Sequence, residues 1–73
     1  MSLALKEAAM EIGQRVKVFR LRDRVSRDVA DRLGKTGKIQ DFKMLDGSNV
    51  GAVVEFDGDN FVTWFFEDEL KVI

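Results

Sequence analysis

Six consecutive residues, Phe61-Val62-Thr63-Trp64-Phe65-Phe66, constrain this chain more than any other stretch, because they read as a strand with apolar side chains on both faces. Phe61, Thr63 and Phe65 share one face; Val62, Trp64 and Phe66 share the other. A small antiparallel sheet buries one face and wets the other, so a two-faced strand demands a second cover. Three candidates exist: a helical turn around Val29 and Leu33, the residues ahead of Met10, or another protein, for which Trp and Phe are favoured anchors.

That cover has to be built without staples. Seventy-three residues accommodate a single core. The absence of Cys and His rules out disulfides and the common zinc ligand sets, so packing carries the stability. With 45% hydrophobic and 34% charged residues, and no apolar run near the roughly 18 residues of a membrane span, the chain should fold in water. Residues 1–9 lack the basic start and cleavage site of a secretory signal and are read as a flexible leader, which leaves 10–73 as the domain.

Alternation at period two marks the strands. Val16 and Val18 alternate with Arg15 and Lys17, and Phe19 and Leu21 then fall on the opposite parity, so this strand should bulge or end near Val18 and Phe19. Ser26 is a candidate N-cap for a short helical turn through Leu33, with Gly34 as its left-handed stop. Thr36–Met44 is the second strand, Leu45-Asp46-Gly47-Ser48-Asn49 a hairpin turn, and Val50–Phe56 the third strand, with Val50, Ala52, Val54 and Phe56 on one face. Asp57-Gly58-Asp59-Asn60 turns the chain into the fourth strand, Phe61–Phe66. Glu67–Leu70 reads as one tight helical turn before a short fifth strand, Lys71–Ile73. The expected fold is therefore all-β: a small five-stranded SH3-like barrel with a short helical turn in its long first loop. Closure would protect sheet edges in a chain that has no proline to guard them.

Charge is segregated along the chain. Arg15–Lys43 holds ten bases and four acids, whereas Met44–Ile73 holds one base and seven acids. Kept apart in space, the two halves would form a dipole able to orient on a charged partner; interleaved, they would cancel.

Catalytic chemistry is scarce. Without His, Cys or Tyr, most acid–base and nucleophilic constellations cannot be assembled. Gly34-Lys35-Thr36 ends like a phosphate-binding loop but has Val29 where that motif needs its first glycine. Asp57 and Asp59 begin like a calcium loop, but Phe61 stands at its fifth position. Glu67, Asp68 and Glu69 read as a solvated carboxylate run. The basic, Gly-containing Gly34–Ile39 segment suits a nucleic-acid-binding barrel, but a pI near 5.3 opposes it. No enzymatic activity, cofactor or metal is expected.

Met10–Val18, Arg22-Asp23-Arg24-Val25, the Asp46-Gly47-Ser48 turn leading to Val50-Gly51, and above all Thr63-Trp64-Phe65-Phe66-Glu67-Asp68-Glu69-Leu70 resemble the PetP family, small peripheral subunits of the cytochrome b6f complex of cyanobacteria and red algae. The resemblance implies an SH3-like barrel without a cofactor on the cytoplasmic side of the thylakoid membrane. It would contact integral subunits of that complex, support its stability and tune linear against cyclic electron flow. Similar barrels associated with ferredoxin in other photosynthetic complexes make a ferredoxin-docking role the neighbouring alternative, with a nucleic-acid-binding barrel as the other. For partner binding the candidates are Arg20, Arg22, Arg24 and Arg27 for electrostatic guidance, and Trp64 and Phe66 for burial.

Overall fold

The computed structural model describes residues 10–22, 26–47 and 50–73, so Arg24, the leader 1–9 and the Ser48-Asn49 tip of the first hairpin lie outside the described residues. The elements follow in the order β1 (Arg15–Val18), α1 (Arg27–Ala30), β2 (Thr36–Met44), β3 (Val50–Phe56), β4 (Val62–Phe66), a 3-10 turn (Glu67–Glu69) and β5 (Leu70–Val72). All strand pairs are antiparallel, in the sheet order β4-β3-β2-β1-β5. This is the small five-stranded all-β fold expected. One feature differs: the hydrogen-bonded ladder stops at β4 and β5, and the 3-10 turn bridges these two outer strands in place of a closing ladder.

Strand limits follow side-chain parity. β1 ends at Val18, where Phe19 departs from the alternation, and Val16 and Val18 are fully buried while Arg15 and Lys17 are exposed. Ala52, Val54 and Phe56 of β3 point inward with Phe65 of β4, Ile39 of β2, Leu70 of β5 and Val29 of α1. Met10, Leu21, Phe42 and Phe61 pack against this core from its margins, and Phe61 itself precedes β4. The register of β2 on β3 shifts between Ile39 and Asp41, a bulge that bends β2 so that its first residues pair with β1 as well as β3.

The helical turn is tied down by backbone. The Val29 and Ala30 N–H groups donate to the Ser26 carbonyl, but the Ser26 side chain makes no cap hydrogen bond. Gly34, at φ +87°, takes the left-handed position that stops the turn, and its N–H donates to the Val18 carbonyl. The turn does not cover the outer face of β4. Val29 enters the core while Leu33 is left 52% exposed. The four-residue helix ends at Ala30, so the Val29–Leu33 stripe expected from helical spacing does not form. Arg32 seals this end instead: its guanidinium lies over Phe61 at 4.1 Å and Phe56 at 5.2 Å and pairs with Asp59 at 3.0 Å.

Candidate partner-binding face

β4 divides its aromatics between two environments. Phe65 is fully buried, edge-on to Phe56 at 5.7 Å. Trp64 and Phe66 lie half-buried on the opposite side of the sheet, and Val62 beside them is 44% exposed. Cross-strand register builds this outer face: Lys43 sits opposite Gly51 and Gly51 opposite Phe66, while Asp41 sits opposite Val53 and Val53 opposite Trp64. Gly51 supplies the floor, since a Cβ there would meet the Trp64 ring at 3.0 Å.

The two aromatics are framed by cations. Trp64 and Phe66 meet edge to face at 5.1 Å, the Arg22 guanidinium lies 3.8 Å from the Phe66 centroid, and the Lys43 ammonium lies 5.7 Å from that of Trp64. A shallow groove follows the line, bordered by Lys43, Met44, Leu45, Asp46, Trp64 and Phe66, with Met44 70% exposed at its rim. Such a surface presents partly desolvated rings, set perpendicular to each other, with a cation over each, the chemistry of a protein contact.

Of the residues singled out in the sequence, the fold brings Arg22, Trp64 and Phe66 together. Arg20 joins them indirectly. Arg20 Nη2 and Arg22 Nη2 reach Asp68 Oδ2 at 3.1 and 3.0 Å, and Arg20 Nε also donates to the Asp68 carbonyl. Arg27 sits exposed at the start of α1. The interleaved reading of the charges prevails, because each of the ion pairs Arg15–Asp57, Arg20–Asp68, Arg22–Asp68 and Arg32–Asp59 joins the basic half of the chain to the acidic half.

The carboxylate run is not simply solvated. Glu69 is fully buried; its Oε2 accepts the Arg22 N–H at 2.7 Å, its Oε1 accepts the Phe66 N–H at 2.8 Å, and its carbonyl accepts the Phe19 N–H. One side chain thus fixes the loop bearing Arg22 against the strand bearing Trp64 and Phe66. The signal in the sequence is a Glu three positions beyond the end of an aromatic strand, where it can reach back to cap the turn. Lys43 and Gly51 became recognisable as part of the face only through the register of β2, β3 and β4. Among the described residues, no three His, Cys, Asp or Glu side chains converge as metal ligands.

The Asp68 carboxyl is held below its ordinary value, first by the Arg22 hydrogen bond and then by the Arg22 and Arg20 charges, with partial burial opposing. Asp59 is lowered by the Phe61 N–H and then by Arg32. A depressed folded value means that stability is fully present above the unfolded aspartate value of about 3.9 and is lost as pH falls through the lower folded one. Asp68→Asn should cost at most about 1 kcal/mol at pH 7, since the network is solvent-screened. The gap between variant and parent in urea unfolding should shrink as pH falls below the unfolded aspartate value of about 3.9 and through the lower folded one. An unchanged gap across that range would mean that Asp68 contributes nothing through its charge.

Residues 12–71 match the family model for the Tsr0524-like subunit of cytochrome b6f. The uncharacterized protein ORF65 of Porphyra purpurea is 33% identical over 61 residues, covering 84% of this chain and 92% of that protein. The solution structure of the cyanobacterial cytochrome b6f complex subunit PetP is 54% identical and superposes with a TM-score of 0.82, over 92% of this chain and 84% of the other.

Proposed function

We propose that this chain, which belongs to the Tsr0524-like family of cytochrome b6f subunits, is held on its complex by the outer face of β4 and acts there without catalysing a reaction. As a cytochrome b6f subunit it associates with the thylakoid membrane, and no helix among its described residues is long and apolar enough to cross one. The finer reading is a peripheral subunit on the cytoplasmic face that docks on integral subunits, supports the stability of the complex and tunes linear against cyclic electron transport. The observation that carries it is the half-buried Trp64–Phe66 pair, which lies outside the core and is framed by Arg22 and Lys43.

A ferredoxin-docking role would draw on the arginines of the first loop. Two of these, Arg20 and Arg22, are already engaged by Asp68, which leaves less positive field to attract an acidic carrier.

Trp64→Ala separates docking from folding. The variant should keep the β-sheet circular dichroism of the parent while its affinity for the detergent-solubilised complex falls by about 2 kcal/mol, or roughly thirtyfold. Undiminished co-purification, or collapse of the fold, would remove Trp64 as the anchor.

A further inference from the structure

We propose that the outer face of β1 and β5, on a part of the sheet distinct from the β4 aromatics, rests on the anionic headgroup surface of a lipid bilayer. The inference starts from a register that folding alone does not favour. Lys17 of β1 stands directly opposite Lys71 of β5, and Arg15 stands directly opposite Lys38 of β2. Like charges directly opposite across an antiparallel pair destabilise it. Lys17 and Lys71 are exposed and make no ion pair among the described residues, so no ion pair relieves their mutual repulsion, whereas that between Arg15 and Lys38 is tempered by neighbouring acids. Acids border the face: Asp57, which is held by Arg15 at 2.8 Å and by the Thr36 hydroxyl at 2.7 Å, Glu55, which lies opposite Lys38 on β3, and, beyond Phe19, Asp68, which is held by Arg20 at 3.1 Å.

Apolar side chains flank the cations. Phe19 follows Lys17 on the same parity and is 48% exposed, and Ile73 follows Lys71 on the same parity and is 56% exposed. Lysines that reach headgroups, with an aromatic and an aliphatic side chain able to enter the acyl boundary, suit a bilayer surface. The net charge of -1 gives the whole molecule no attraction to an anionic surface. Contact therefore depends on this face being presented, and over a screening length of about 8 Å at physiological salt a local patch is what a surface senses. A protein held on a membrane complex by β4 would have its β1 and β5 face free to meet the surrounding lipid.

The test is flotation of the full chain with phosphatidylcholine vesicles, either alone or containing about 30 mol % phosphatidylglycerol at low salt. The parent should bind the anionic vesicles, ignore the neutral ones, and be released at about 0.5 M salt. Lys17→Glu with Lys71→Glu should weaken vesicle binding at least tenfold or so. The double variant exchanges one like-charge pair for another at the same exposed register position, so it is expected to fold about as well as the parent, and circular dichroism checks this; should it misfold, Phe19→Ser serves as the second probe, expected to weaken binding several-fold. Trp64→Ala should bind vesicles normally, so failure on this face and failure of β4 docking are distinguishable. The proposal is overturned if the parent does not bind anionic vesicles, if it binds an oligonucleotide in preference to them, or if the double variant keeps its vesicle affinity but loses the detergent-solubilised complex, which would make the face a protein contact.

Discussion

Glu69→Ala is expected to lower the unfolding free energy by about 3 to 5 kcal/mol, because it strips two backbone N–H groups, those of Arg22 and Phe66, of a charged acceptor. Hydrogen bonds to charged groups contribute about 1.5–3 kcal/mol each, and a donor left buried without a partner adds its desolvation cost. A domain of this size has a total stability of roughly 4 to 11 kcal/mol, so the loss is a large share of what holds it folded. The melting temperature should fall by about 15 °C or more, at roughly 4–8 °C per kcal/mol. Glu69→Gln should recover only part of this. Its amide keeps one accepting oxygen and turns an N–H donor toward the other backbone donor, which leaves about 2 kcal/mol unrecovered. A urea midpoint for Glu69→Ala close to that of the parent would show that the turn between β4 and β5 holds without its buried carboxylate. The functional consequence follows from the same contacts: the Arg22 loop and the aromatic strand would no longer be pinned together, so the variant should also bind the complex poorly wherever it remains folded.

Gly37→Ala is the second large effect. A Cβ at this position would lie 2.5 Å from the Glu55 carbonyl oxygen, 2.8 Å from Val54 Cγ1 and 3.0 Å from Phe56 Cα. Two of these three atoms are backbone and cannot rotate away. Gly37 pairs with Val16 on one side and Phe56 on the other, so β3 has to separate from β2 where three strands meet. We expect about 3 kcal/mol of destabilisation, the upper part of the range for overpacked interiors. Gly34→Ala supplies the contrast. Nothing lies within 4 Å of its Cβ, and only the φ of +87° opposes it, at a cost of about 1–2 kcal/mol. Equal losses for the two variants would mean that close strand approach is not what Gly37 provides.

Much of the fold was legible because strands advertise themselves locally. β2 and β3 begin and end where alternation meets Gly34-Lys35 and the two turn sequences, and the tight turn after β4 falls where three acids interrupt the apolar run. Parity alone put Phe65 and Trp64 on opposite faces, and a residue pattern of period two carries that information without any knowledge of neighbours. The resemblance of the Thr63–Leu70 block likewise pointed to the family to which the chain belongs.

What no local pattern states is which side chain meets which across distant parts of the chain. Asp68 and the arginines it holds are 46 and 48 residues apart, and the sequence offered a segregated charge without saying whether the halves would meet. Glu69 looked like one more solvated carboxylate until the loop from β1 was folded over it. Composition, parity and turn residues determined that this would be a small all-β domain with a surplus of aromatic surface. Tertiary structure alone decided that Trp64 and Phe66 would be framed by cations, that Glu69 would be buried, and that Lys17 would face Lys71, because alternation along a strand is a property of the chain whereas register between strands is a property of the packed whole.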